Sequence, residues 1–314
     1  MLTFFRQFPS ELGFKLALGL MVLLVLSQLG PGRPVFGPGP ELELALVVAA
    51  IALAGLPHGA ADAWIAAREG LAGNSLRTAA FLAGYTAAAM LVVGAWLVVP
   101  VLSLTLFLSI SVWHFGDDSR QGLHPLARIS TGLIILGAPA VFHAAAVSDA
   151  YRVLAGDQTA AIVAVQGVLF WLACLVLPLT LALTPAKVPL VERASRGRIK
   201  HLVEMIVLTA LAALLSPLLY FAVYFCGIHS PRHLGRVMRL FPERGGLKFW
   251  GTVLALTLVS ILVGAAAWAW LTTSGQRPEA AGLKVLFIGL AALTLPHMLL
   301  VDGLSPTLLR GKAQ

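Results

Sequence analysis

The chain has 314 residues, of which 59% are hydrophobic and only 11% charged, and its mean hydropathy of +0.89 excludes a soluble domain of ordinary composition. Its formal charge of +8 is carried by Lys and Arg in short connections between apolar runs, so it marks membrane-flanking loops and argues against a nucleic-acid partner. Cys174 and Cys226 both lie inside apolar runs, and two such cysteines argue neither for a disulfide framework nor for a zinc site.

The first apolar run, Leu16 to Leu29, follows Arg6 and Lys15 but is followed by Pro31-Gly-Arg-Pro34 rather than a small-residue cleavage pattern. It is expected to be a retained span. Further runs cover 42–66, 78–99, 101–115, 127–147, 160–183, 200–227, 249–272 and 282–301, most near the roughly 20 residues a bilayer requires. They predict an all-α fold, a polytopic transmembrane helical bundle with about eight or nine membrane helices. Residues 1–314 form one integral-membrane domain, with 1–40 an N-terminal span and loop outside the motif region. The run at 101–115 is short and follows Pro100, so it either continues its predecessor across a kink or enters only part of the membrane.

The densest basic loop carries Lys187, Arg193, Arg196, Arg198 and Lys200 and is placed on the cytoplasmic side. Arg232, Arg236, Arg239, Arg244 and Lys248 follow the next run. A re-entrant half-helix after His229 would reconcile both loops with the charge bias.

Histidine is the residue type that does not belong in such runs. Gly55-Leu-Pro57-His58-Gly-Ala-Ala-Asp62 places a histidine and an aspartate four apart, so one imidazole nitrogen can bind a metal while the other donates to a carboxylate. Ser111-Val-Trp113-His114-Phe115-Gly-Asp117-Asp118 and Leu295-Pro296-His297-Met-Leu-Leu-Val-Asp302 repeat the idea. Tyr220-Phe-Ala-Val-Tyr-Phe-Cys-Gly-Ile-His229-Ser-Pro-Arg-His233 ends in two histidines at i and i+4, which share one face if the backbone is helical. Pro231 leaves a second geometry open, with the helix broken and Ser230 capping a new one.

One intramembrane histidine is readily explained by an interhelical hydrogen bond. Five, three of them followed by Asp within five residues, mark a functional site, because intramembrane ionisable groups are costly. His124, His143 and His201 sit in connections or near helix ends and fit the structural explanation. Imidazoles without a cysteine set suit iron, copper, nickel or zinc. There is no His-Glu-x-x-His, which leaves a zinc protease little support.

The Gly-x-Pro-His-Gly-x-x-Asp pattern at 55–62, Trp-His-Phe-Gly at 113–116, His-Ser-x-Arg-His at 229–233 and Pro-His-x-x-x-x-Asp at 296–302 resemble the Brp/Blh family. Its members are bacterial and archaeal β-carotene 15,15′-dioxygenases. The resemblance runs from the first motif to the last, in the family's order, and leaves only the region before about residue 40 uncovered. It implies an enzyme of the bacterial or archaeal cell membrane that uses Fe(II) and O2 to split the central double bond of β-carotene into two molecules of retinal. It also implies a substrate drawn from membrane lipid and a functional link to a retinal-binding rhodopsin.

The resemblance assigns His58, His114, His229 and His233 as catalytic iron ligands and leaves His297 between ligand and support, while spacing places Asp62, Asp117, Asp118 and Asp302 behind them. A polyene has no polar handle at its centre, so a tunnel must set the cleavage point. Trp113, Phe115, Tyr220, Phe221, Tyr224 and Phe225 are the candidates for its wall by proximity to the histidines, although each also suits plain helix packing. Two other classes fit less well. A metal or proton transporter would use the histidines as a relay, and a desaturase-like di-iron hydroxylase would need more than the one His-x-x-x-His present.

Overall fold

The computed structural model describes residue 19 and residues 40–116, 124–183, 191–241 and 246–304. The expected span at 16–29, apart from Gly19, lies outside the described residues, as do Asp117 and Asp118. The regular elements among them are all helices. In chain order, α1 (Pro40–Ala50) passes through a π turn (Ile51–Gly55) into α2 (Leu56–Ala60) and α3 (Asp62–Arg68). Then come α4 (Ser75–Val98), α5 (Pro100–Phe115), α6 (Pro125–Phe142), α7 (Ala144–Ala155), α8 (Ala160–Leu183) and α9 (Val191–Leu214). Next, α10 (Pro217–Tyr224) continues through a π turn (Phe225–His229) into α11 (Ser230–Leu240). The chain closes with α12 (Leu247–Thr273), α13 (Pro278–Met298) and a third π turn (Leu299–Leu304).

Six helices among the described residues are long and apolar enough to cross a membrane: Glu41–Arg68, Ser75–Val98, Pro125–Phe142, Asp157–Leu183, Leu247–Thr273 and Pro278–Gly303. Pro100–Phe115 is apolar but shorter. The expected count of eight or nine is therefore approximate, and two of the apolar runs behind it are divided. The run at 127–147 is cut at His143, whose backbone (φ −135°, ψ 45°) leaves the helical region, so α7 is a separate helix. The run at 200–227 is cut at Ser216. Pro217 disfavours helical backbone at the residue before it, Ser216 is extended (φ −56°, ψ 154°), and its hydroxyl accepts from Leu219 N at 3.4 Å to start α10. Pro100 acts in the same way on Val99 (φ −132°, ψ 63°), which separates α4 from α5.

Ser230 behaves differently. Its backbone is helical (φ −60°, ψ −44°) and its N–H donates to the Phe225 carbonyl. The helix does not break before Pro231, and the chain does not turn back at His229. The segment Pro217–Leu240 is one continuous helix with an apolar first half and a basic second half.

Two apolar cores flank the polar residues. One gathers Ile51, Phe115, Ile135, Phe170, Leu208, Leu211, Tyr220, Phe225, Ile228 and Leu290, and the other gathers Ala61, Ile65, Val237, Phe249, Val253 and Leu300. Along three separate helical segments the histidines fall between a member of the first core and a member of the second: His58 between Ile51 and Ala61, His229 and His233 between Ile228 and Val237, His297 between Leu290 and Leu300. The fourth contribution, His114, comes from the end of α5, where backbone packing fixes it. A Cβ on Gly132 would run into the Val112 carbonyl, and one on Gly116 into the Arg128 carbonyl. Only residues without a side chain allow α5 and α6 to approach this closely on both sides of His114.

Candidate metal centre

Each of the three π turns among the described residues abuts a histidine that the sequence singles out. Ile51–Gly55 ends three residues before His58, Phe225–His229 ends on His229, and Leu299–Leu304 begins two residues after His297. Each lies beside a proline, Pro57, Pro231 or Pro296. Proline has no N–H to give and crowds the carbonyl four residues back. In the first two segments, where the π turn precedes the proline, the wider turn absorbs that mismatch: Leu56 N–H reaches back five residues to Ile51 O and Ser230 N–H to Phe225 O. The extra residue in the turn re-aims the side chains around it, and such turns recur at functional sites.

The result is one cluster of five buried imidazoles. His58 has ring centroids 5.2 Å from His229, 5.5 Å from His233 and 5.4 Å from His297. His114 lies 4.9 Å from His229 and 5.2 Å from His297, and His233 lies 4.9 Å from His297. None of the five is more than 9% exposed. His297 touches three of the other four, so it sits within the cluster and not on a far face of the bundle.

What holds each ring is more informative than the rings alone. The Nδ1–H of His58 donates to the Gly55 carbonyl one turn back, with Ser230 Oγ 3.1 Å away. His297 Nδ1 lies 2.9 Å from both oxygens of Asp62, a carboxylate only 2% exposed. Tyr85 donates its hydroxyl to Asp62 Oδ2 at 3.0 Å. His114 Nδ1 faces Asp302 Oδ2 at 3.7 Å, and Arg128 Nη2 lies 3.5 Å from that same oxygen. Three rings thus turn Nδ1 toward an oxygen acceptor, which favours Nε2 as the basic atom. Among the described residues, the Nε2 atoms of His233 and His297 are buried with no hydrogen-bond partner. Asp62, His233 and His297 also offer ligand atoms within 4.8 Å of one another.

The carboxylates are paired differently from the sequence expectation. Spacing matches Asp62 with His58 and Asp302 with His297, but Asp62 holds His297 and Asp302 faces His114. The reason is local. The His58 Nδ1–H is already satisfied by Gly55, which leaves Asp62 to a partner on another helix. Spacing along one helix cannot reveal such cross-helix partners.

Of the aromatic candidates, Phe115 and Phe225 pack directly on His229, at 4.8 Å edge-on and 5.4 Å stacked. Phe225 also meets His58 at 5.3 Å. Tyr224 lies 6.3 Å from His229 and 5.3 Å from Phe115. Phe221 stacks on Phe225 instead of on a histidine. Tyr220 is buried and donates its hydroxyl to the Ile135 carbonyl at 3.0 Å, and Trp113 lies under the Arg128 guanidinium at 3.9 Å.

The remaining histidines have other settings. His124 caps α6 by accepting from Leu126 N at 3.3 Å, His143 ends α6, and His201 Nε2 lies 3.0 Å from Thr131 Oγ1. Sequence reasoning missed Tyr85, Ser230, Arg128 and the buried ion pair of Glu204 with Arg232 at 2.6 Å. Arg128 and Glu204 carried a usable signal, since each is a charge inside an apolar run. Tyr85 carried none, and Ser230 reads in sequence as a helix cap instead of a neighbour of His58.

Comparison with known proteins fits this geometry. The sequence model of the family described as Beta-carotene 15,15'-dioxygenase matches residues 49–305. The chain belongs to this family. A Beta-carotene 15,15'-dioxygenase from an uncultured marine bacterium, 66A03, is 32% identical over 268 residues, covering 82% of this chain and 91% of that protein. No solved structure matches. All five clustered histidines, with Asp62 and Asp302, lie inside the stretch matched to the dioxygenase family.

Proposed function

We propose that this chain cleaves β-carotene at its central 15,15′ double bond with O2, giving two molecules of retinal at one Fe(II) centre in the cell membrane of a bacterium or archaeon. The observation that carries the reading is the cluster of five buried imidazoles, drawn from four helical segments and in mutual ring contact within the region matched to the dioxygenase family. The donor set fits such an ion. It offers five imidazoles, three of which turn Nδ1 toward an oxygen acceptor, and two buried Nε2 atoms that make no hydrogen bond. His58, His114, His229 and His233 would hold the metal with His297. When bound, Fe(II) supplies the activation of O2 that side chains cannot provide.

The rest is the work of the chain. Asp62 and Asp302 orient His297 and His114. The two apolar cores exclude water from both sides of the histidine layer, which keeps the site dry. Phe115 and Phe225, packed on His229, are the nearest parts of a wall that fixes the polyene's midpoint by shape, and Tyr224 continues it through Phe115. A lipid-soluble substrate enters sideways from the bilayer, and the reaction closes without another reductant because each oxygen of O2 ends on one of two aldehydes. A retinal-binding rhodopsin is the expected consumer. Expression in a β-carotene-producing bacterium tests the proposal: colour should fade as retinal appears, whereas persistent colour with the protein present in the membrane would contradict it.

A further inference from the structure

We propose that Tyr85 is a positioning residue of this centre: its hydroxyl keeps Asp62 committed to His297, so that His297 presents Nε2 to the other histidines. The proposal rests on the reading of the five imidazoles as a metal centre. Helix α4, which carries Tyr85, supplies no histidine and buries only Trp96 fully. It nevertheless sends one polar group inward. The Tyr85 hydroxyl reaches Asp62 Oδ2 at 3.0 Å, with the Leu293 carbonyl 3.4 Å away on α13, one helical turn before His297.

The contact matters because Asp62 has a choice. Its carboxylate can serve His297 Nδ1, or it can turn toward the neighbouring His233, whose ligand atom lies within 4.8 Å. An ionised carboxylate only accepts hydrogen bonds, and a buried one needs its acceptor sites occupied. With Tyr85 on Oδ2 and His297 Nδ1 2.9 Å from both oxygens, Asp62 is held as a partner of a ligand instead of becoming a ligand itself. Without the phenol, the carboxylate is freed to rotate into the cluster and His297 loses its fixed orientation.

Tyr85→Phe removes only the hydroxyl. Wild-type and variant protein, purified in detergent, would be loaded with Co(II) and with Fe(II), and metal retention against a chelator measured beside the visible Co(II) spectrum. Tyr85→Phe should weaken retention roughly 10- to 100-fold, the usual range for groups behind a metal ligand, and should change the spectrum, which a merely structural loss would not do. The double variant with Asp62→Asn should retain metal no worse than Asp62→Asn alone, because the phenol acts through the carboxylate. Wild-type retention and spectrum in Tyr85→Phe, or multiplying losses in the double variant, would overturn the proposal. Should Tyr85→Phe fail to fold, a ring-fluorinated tyrosine at position 85 keeps the shape and alters the donor, and an unchanged Co(II) spectrum there counts against it. A wild-type protein that takes up neither metal would overturn the metal centre itself, a result distinct from failure of Tyr85 alone.

Discussion

Helices α6 and α8 contain prolines in their interiors, Pro139 and Pro178, and neither helix develops a π turn. The segments that carry His58, His229 with His233, and His297 also contain proline, and each has one. Proline alone therefore does not produce the irregularity. What separates the two regions is the polar layer: the scaffold helices have only to pack, whereas the site helices must bring imidazoles from several directions to one place between two apolar cores. The scaffold is specified by small residues and volume, the site by the oxygen partners that orient the Nδ1 atoms of His58, His114 and His297.

The sharpest way to break this comparison is to remove a ring from the layer. Alanine at His58, His114, His229 or His233 should reduce retinal formation to background while membrane accumulation stays near wild type, checked by product chromatography and immunoblot. A smaller effect is expected from Asp302→Asn, since Asp302 faces His114 from 3.7 Å and shares Arg128. Iron retention should fall by roughly 10-fold, at the lower end for such partners, and unchanged iron content would reduce Asp302 to a helix-end contact.

Scaffold changes should act on folding instead. Gly132→Ala pushes a methyl into the Val112 carbonyl, and overpacking of this kind typically costs about 1–3 kcal/mol. The expected outcome is a lower unfolding temperature in detergent. The smallest effect belongs to His201→Ala. Its bond to Thr131, worth about 0.6 kcal/mol on average between membrane helices, lies outside the cluster, so the change should leave activity almost intact. Activity lost as fully as in the His58 variant would erase the distinction between site and scaffold histidines.

The sequence made the layer's membership legible and its wiring illegible. Neutral imidazoles in apolar runs are conspicuous, because lipid offers them no partner, so all five members could be named from the chain. Their arrangement depends on contacts between residues as much as 235 positions apart, as with Asp62 and His297, and helix spacing assigned Asp62 to His58 instead. Span counting missed the break at Ser216, where Pro217 changed the backbone of the residue before it, and the one at His143, which no proline marks, whereas Pro100 had already separated the runs on either side of it. Pro231 shows the limit of that rule, since Ser230 stays helical and its hydroxyl lies near His58 instead of capping a new helix. Glycine contacts such as Gly132 against Val112 are invisible to pattern reading, because they record a backbone approach and not a side-chain preference.

Reconstitution of the metal-free protein tests the central claim most directly. Purified chain, stripped of metal, would be titrated with Fe(II) under anaerobic conditions and then given β-carotene and O2, with retinal quantified at each step. Because the five histidines suffice for a single site, product formation should rise with added iron and level off at about one iron per chain. Retinal formed at full rate without iron, or equally well with zinc in its place, would contradict the account.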